Sequence, residues 1–541
     1  MMQNFGIGWM VLMGVLMLGT SPHPARVLGS DGNQGATLRF QARTQVETAE
    51  GTGRFHSLPR EVEWQARETA IVICDMWDRH WCPAATRRVG QMAPRMNDVV
   101  KRARQQGVLI IHCPSGTMDF YKDTPQRKLA QQAPPLETEI PLQDWCHLDQ
   151  QRESDLPIDD SDGGCDTIPS PEQGRAWSRQ IATIEIEEGD AITDSAEAYY
   201  LMRQRGIKNV IVMGVHTNMC VLGRPFSVRQ MVYQGQNVLL MRDMTDTMYN
   251  PRMSPYVSHF TGTDLVVEHI ERHWCPTITS ADLLGGKPFR FANDKRPHLV
   301  IVMAEQEYRT NETLPKFALS QLGEDFRLSY VYADADNRNN LPGIEVLKAA
   351  DVLLVSARRR VLPKEQLDAI REFIAAGKPV VGIRTANHAF SLRRKQPAEG
   401  LTAWESFDAE VIGGNYAGHH GNELHPQVGP ASAAGDHPIL AGVDIAELRG
   451  HGSLYRVAPL SPSATPLLIG KISGQPEEPV AWTNETKFGG RVFYTSLGHP
   501  GDFALPSFKR LLENGVHWAA GLQTKTSVPA DDSAGRSDPG C

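Results

Sequence analysis

A chain of 541 residues has room for two to four domains. Hydrophobic residues make up 41% and charged residues 22%, the balance of a globular protein rather than a disordered one. The net charge is −8 and no basic block occurs, which argues against a nucleic-acid partner.

Residues 7–19 form an apolar run of 13, too short to span a bilayer and the right length for a signal-peptide core. The first Lys or Arg is Arg26, so the usual positive segment before such a core is missing. Residues 1–29 are read as a signal peptide. A secreted or periplasmic location is expected, with no membrane attachment beyond the export signal. Residues 30–61 are polar and read as an extended lead-in.

A first domain is placed at 62–285. Residues 69–76 (TAIVICDM) read as a buried strand ending in Asp75. Residues 97–106 continue a helix that closes at Gly107, and 108–113 (VLIIHC) are a second strand. Residues 114–178 are rich in Pro, Asp and Gln and read as an insertion over the sheet edge. Insertions of this length are usually functional or flexible. A third strand is expected at 181–186, then a helix opened by a capping box of Asp194 and Glu197 and closed at Gly206. Residues 209–221 (NVIVMGVHTNMCV) read as a buried strand broken at Gly214. A helix should follow, with Val221, Leu222, Pro225, Val228 and Val232 on one side. Residues 237–241 are a further strand and 265–274 a last helix. This alternation predicts an α/β fold with a doubly wound parallel sheet.

Residues 286–296 read as a linker, after which the alternation restarts at 297–521. Strands are expected at 298–303, 326–332, 351–356, 379–383 and 491–495. A helix beginning near Pro363 presents Leu367, Ile370 and Ile374 on one face. This is a second parallel-sheet domain, flavodoxin-like in pattern. The polar linker predicts that the halves fold independently. Residues 522–541 read as a disordered tail.

The eight cysteines suggest disulfides in an exported chain. Cys146 and Cys165 flank a polar acidic insert and are expected to pair. The tetrapeptide HWCP occurs at 80–83 and 273–276, so Cys82 and Cys275 could form a second disulfide or half of a metal site; sequence fixes no connectivity.

Cys220 would fall in the first turn of a helix at the carboxyl end of a strand, where open α/β sheets bind ligands and the helix terminus favours a thiolate. The segment GVHTNMCV resembles the nucleophile segment of the isochorismatase-like cysteine hydrolases. That family includes isochorismatases, nicotinamidases and N-carbamoyl amidohydrolases. The resemblance spans about 68–284 and implies a non-proline cis peptide after Gly-Val, catalytic Asp75 and Cys220, and an oxyanion hole from the amides of 216–220. It also implies a lysine after the third strand, and none stands there; counting places Glu185–Glu187 at that position. Glu187, His112, His216 and Asn218 are further pocket candidates. Cys220 is expected to be more reactive than a free cysteine near neutral pH, provided a cation replaces the lysine. Asp78 and His80 have Asp-x-His spacing and are weak candidates for a divalent metal. No cofactor is required by this reading.

The second half carries ADVLLVSARRR, KPVVGIRTANHAF, GGNYAGHHG and a C-terminal GRVFYTSLGHPGDFALPSFKRLLENGVHWAAG. These resemble the ThuA-like (trehalose-utilisation) family, related in fold to class I glutamine amidotransferases. Arg384 stands where an amidotransferase nucleophile is needed, which removes that chemistry. His388, His419 and His499 are ligand candidates beside His420, with Tyr416 and Trp482 as stacking surfaces. The resemblance implies a carbohydrate-related ligand. Taken together, the expectation is a hydrolase of small amide or related bonds, with a small-molecule-binding protein or a metal-dependent hydrolase as rivals. A homo-oligomer is the expected assembly.

Overall fold

A computed structural model describes residues 35–393 and 395–526. The segment read as a signal peptide, most of the C-terminal tail and Cys541 lie outside the described residues. The described residues from Ala36 onward cluster as one compact unit. Its secondary structure is arranged around two eight-stranded sheets.

The first sheet takes β1 (Thr37–Glu47), β2 (Phe55–Gln65), β3 (Thr69–Cys74), β4 (Leu109–Cys113), β5 (Ala191–Ile192), β6 (Asn209–Val215), β7 (Asn237–Asp246) and β8 (Thr277–Ile278). Their order is β2-β1-β8-β7-β6-β3-β4-β5. The six strands from β8 to β5 are parallel, and the β1–β2 hairpin joins antiparallel through Arg43 and Thr277. All of β3 and β6 is buried, as expected of strands covered on both faces. The stretch read as a lead-in is thus largely extended, and its described part pairs as a hairpin over 37–47 and 55–61.

In the second half the strands are β9 (His298–Ala304), β10 (Arg327–Tyr332), β11 (Val352–Ala357), β12 (Leu362–Pro363), β13 (Val380–Ile383), β14 (Leu401–Thr402) and β15 (Gly418–His419). They are followed by β16 (Gln427–Pro430), β17 (Tyr455–Arg456), β18 (Thr465–Lys471), β19 (Glu478–Glu485) and β20 (Arg491–Thr495). The second sheet runs β10-β9-β11-β13-β20-β19-β18-β16, parallel as far as β20 and antiparallel beyond. β12 with β14 and β15 with β17 form two small ribbons. The fold is the expected α/β class, with each sheet mixed at one edge.

Several local expectations are corrected. No strand forms at 181–186; the outer strand is β5, ten residues later. The residues after that strand are therefore Thr193 and Asp194, not Glu187. The capping box does not form: the helix Glu197–Gln204 has no side-chain cap, Asp194 accepts from the Gly116 amide, and Glu197 holds Arg127. The helix after Cys220 is a single turn, Cys220–Gly223, and a second helix begins at Val228. Pro225 explains the break, because a residue before proline is pushed out of the helical region and Arg224 lies at φ −68°, ψ 154°.

The disulfide joins Cys82 to Cys165, with α-carbons 5.7 Å apart. Cys146 is a buried free thiol against the Gln230 side chain, and Cys275 is also free and buried. Cys165 lies near Cys146 in sequence, but the insertion folds back to the start of the helix Pro83–Gln105, where Cys82 is the N-cap. The insertion is also anchored by Trp177 stacked on Trp77 at 4.3 Å, and by Asp78 accepting from the Ser178 amide.

The halves are not loosely tethered. Phe291 of the linker stacks on Phe260 at 5.5 Å, Arg296 pairs with Asp264 and Asp294, and Thr261 Oγ1 donates to the Gly323 carbonyl. Leu319 packs against the core of the first half. Independent folding was expected from each half's own strand–helix alternation and the polar linker, and neither of these bears on such contacts.

Candidate active site

In the first sheet the chain runs outward from β3 through β4 to β5, and from β6 through β7 to β8 in the opposite direction. The boundary between β3 and β6 is a topological switch point, where a crevice opens at the carboxyl ends of the strands. Asp75 follows β3 and Cys220 lies five residues beyond β6. β6 can lie against β3 here because Gly214 is a glycine: a Cβ would come within 2.0 Å of the Cys74 carbonyl oxygen, and φ is 115°.

Asp75 is fully buried and sits at φ 47°, a left-handed conformation rare outside glycine and often found at functional positions. Its Oδ1 accepts from the Ser115 amide at 2.7 Å. Its other oxygen, Oδ2, lies 3.5 Å from Arg224 Nε and has no hydrogen-bond partner among the described residues. The Cys220 thiol lies within the electrostatic reach of both Asp75 and Arg224. The Val215–His216 peptide is cis, at the place the resemblance implies.

Arg224 is the cation that sequence reasoning did not place. It sits four residues after Cys220, and the break at Pro225 ends the helical turn at its position. Trp145 of the insertion covers it, with the guanidinium 5.4 Å from the ring centre, and the indole also lies over Gly223, where a Cβ would come within 2.7 Å of the ring. The clue in the sequence was the pair Arg-Pro directly after a one-turn helix.

Burial is the main influence on the Cys220 thiol and pushes its pKa well up; Asp75 adds to this and Arg224 opposes it. Burial also raises Asp75, with Arg224 pulling the other way. The resting thiol is therefore neutral. The expectation of a thiol more reactive than a free cysteine then turns on how far Arg224 offsets burial and Asp75, since a single helical turn has little dipole to set against burial. Cys220 is only 8% exposed.

The amides of Thr217, Met219 and Val221 are committed to the carbonyls of Asp246, His216 and His216. Among the described residues, those of Asn218 and Cys220 have no such acceptor. They are the donors an oxyanion could use.

Other candidates fall away from the thiol. His112 faces the opposite side of the sheet from Cys113, bonded to Gln180 and Asp190. Glu187 is half-exposed and pairs with Arg104. Asn218 pins two loops, bonding Asp160 and both polar backbone groups of Met248. His216 is buried with its Nε2 unpartnered among the described residues, and its ring lies 4.9 Å from that of His80. Asp78 is spent on Ser178 and Arg179, and His80 Nδ1 accepts from the Cys82 amide. Neither belongs to a group of converging ligands. The one such group among the described residues, Cys82, Cys165 and Asp166, has its two sulfurs in the disulfide. The metal reading has no closed ligand set here.

One cavity, about 390 Å³, is lined by residues 136–140 with Tyr199, Arg203, Tyr233 and Gln234, and contains none of these residues. Another, about 240 Å³, lies in the second half and is lined by His388, His419 and Tyr416 among others. His499 is outside it, with its ring 6.0 Å from that of Tyr308. Trp482 is fully buried, donating to the Ile412 carbonyl, and is no stacking surface. The His420 ring nitrogen Nε2 is buried and unpartnered among the described residues. Arg384, at the end of β13, has φ 50° and lies between the rings of Tyr308 and Tyr455.

The family model ThuA, described as trehalose utilisation, matches residues 299–519. Solved structures similar to the chain include a protein described as ThuA-like from Bacteroides uniformis ATCC 8492. It is 17% identical, over 43% of this chain and 95% of its own, with a TM-score of 0.32. A cysteine hydrolase from Pseudomonas syringae pv. phaseolicola 1448A is 16% identical, over 41% of this chain and 92% of its own, with a TM-score of 0.26. An isochorismatase from Pseudomonas putida KT2440 is 13% identical over the same shares, with a TM-score of 0.26. No curated protein matches the chain. Both resemblances drawn from the sequence are thus found: a ThuA domain in the second half, and isochorismatase-family hydrolases among similar structures.

Proposed function

We propose that the first half hydrolyses a small amide or related bond through Cys220. The observation that supports this is the convergence of Cys220, Asp75 and Arg224 at the switch point. In this reading Asp75 Oδ2 takes the thiol proton as Sγ attacks the substrate carbonyl. The raised pKa of Asp75 suits a carboxylate that must accept a proton from a thiol. Arg224 offsets the negative charge on sulfur and so replaces the missing lysine. The Asn218 and Cys220 amides receive the oxyanion. As the tetrahedral intermediate collapses, protonated Asp75 returns its proton to the leaving group, and water then releases the acyl group from sulfur.

A non-catalytic binding role is the second reading, favoured by the neutral, nearly buried thiol. The test is turnover of a panel of simple carboxamides, nicotinamide and N-carbamoyl amino acids by the full chain and by Cys220→Ser. Hydrolysis lost in Cys220→Ser supports catalysis; no turnover together with a thiol inert to electrophiles supports the binding role.

The second half is proposed to bind a carbohydrate-related ligand near His388 and His419. The Cys82–Cys165 bridge supports a secreted or periplasmic location. Sequencing the N-terminus of the mature protein tests that location.

A further inference from the structure

The cavity of about 240 Å³ lies at the carboxyl ends of β9 and β11. Four arginines line it: Arg358, Arg359, Arg393 and Arg456. The one carboxylate in the lining is Glu307, and it pairs with Arg358 at 2.6 Å. Among the described residues, the other three guanidinium groups have no carboxylate partner. The whole chain carries a net charge of −8, so this concentration of positive charge is local.

Surface arginines usually cost little when unpaired, since water solvates them. Here several are constrained. Arg359 Nε is buried without a partner, and Arg359 and Arg393 both hold φ near 50°, at 51° and 53°. Such backbone outliers gather at ligand sites, where other contacts compensate for their strain. One wall is aromatic: Tyr416 stacks on His388 at 4.2 Å, and Arg393 lies over the Tyr416 ring at 5.4 Å. His388 is pushed down to about 2, by burial first, with Arg359, Arg358 and Arg393 adding to it.

We propose that this cavity binds a sugar-sized ligand bearing an anionic group, a carboxylate or a phosphate, held by Arg359, Arg393 and Arg456 with its body against Tyr416. Planar guanidinium groups match both anions in bidentate geometry. The volume is below the roughly 300 Å³ at which drug-sized pockets begin, which restricts the ligand to about one sugar ring. The proposal rests on the carbohydrate reading of this half and is independent of Cys220.

The test is calorimetric titration of the full chain with glucuronate, glucose 6-phosphate, glucose and inorganic phosphate at low salt. Binding of glucuronate or glucose 6-phosphate is expected, and which of them binds identifies the anion. Glucose should bind at least about tenfold more weakly, as expected when a charge-assisted hydrogen bond is lost. Arg456→Gln and Arg393→Gln, both at exposed positions, should each weaken the anionic ligand about tenfold. Lys364→Gln, a surface cation outside the cavity, should not. Glucose binding as tightly as its phosphate would overturn the anion inference while leaving the carbohydrate reading. Inorganic phosphate binding as tightly as glucose 6-phosphate, or no binding by any of the four, would overturn both. Unchanged affinity in the two arginine variants would place the site elsewhere and also overturn the proposal.

Discussion

Replacing Arg224 by methionine keeps much of its length and removes its charge. Two unit charges at 3.5 Å, the separation of Arg224 from Asp75, interact by about 5 kcal/mol at an effective dielectric near 20. The Arg224 side chain is 28% exposed, so solvent screening reduces this to on the order of 2–3 kcal/mol. When Asp75 takes the thiol proton, the negative charge moves to a sulfur that interacts with the same guanidinium. The loss then falls on the thiolate. At about 1.36 kcal/mol per decade, its population should drop roughly 30- to 150-fold. The assay is the rate of iodoacetamide alkylation at Cys220, read by mass spectrometry of its peptide across pH 6–9. Arg224→Met should alkylate slower by about that factor, and Arg224→Lys should recover part of the rate. Glu187→Lys should leave the rate unchanged, because Glu187 is engaged with Arg104. A wild-type rate in Arg224→Met, or activation in Glu187→Lys, would refute the assignment of Arg224 as the replacing cation.

Removing the disulfide with Cys165→Ser should destabilise the chain by about 4–5 kcal/mol on the loop-entropy account, because the bridge spans a separation of 83 residues; the midpoint of denaturant unfolding reports this. Cys146→Ser should cost far less, since that thiol is unbridged. Glu153 accepts from Arg229, His269 and Trp274, and these contacts hold it down to about 2. Its folded pKa lies below its unfolded value near 4.3, so its stabilisation is complete above about pH 5 and is lost as pH falls toward 2. Glu153→Gln should therefore flatten that part of the stability curve, and parallel acid unfolding curves for variant and wild type would show the group is not linked to folding. Expressed separately, residues 31–285 and 294–521 should each melt below the intact chain, because Thr261–Gly323, Arg296–Asp264 and Phe260–Phe291 are then broken or exposed; equal melting temperatures would show that this interface contributes nothing.

Much of this protein was legible in the sequence. Continuous apolar runs such as 69–74 and 209–215 can be satisfied only by strands covered on both faces. Their alternation with helices left a parallel α/β arrangement as the consistent solution. Asp75 and Cys220 could be picked out because strand ends are where such folds expose chemistry, and their motifs are local. Tertiary structure alone decided what depends on distant segments meeting. Cys82 found Cys165 rather than Cys146 because the insertion folds back on the helix that Cys82 opens. The outer strand formed at 191–192, a stretch too short to show a periodicity. Arg224 took the cation's place because Pro225 ended the helix there and Trp145, nearly eighty residues earlier, covers its side chain. The arginines of the second cavity come from three separate segments, at 358–359, 393 and 456, and no spacing along the chain announces that they share one space. Period and propensity are properties of neighbouring residues, while pairing and burial are properties of the closed fold.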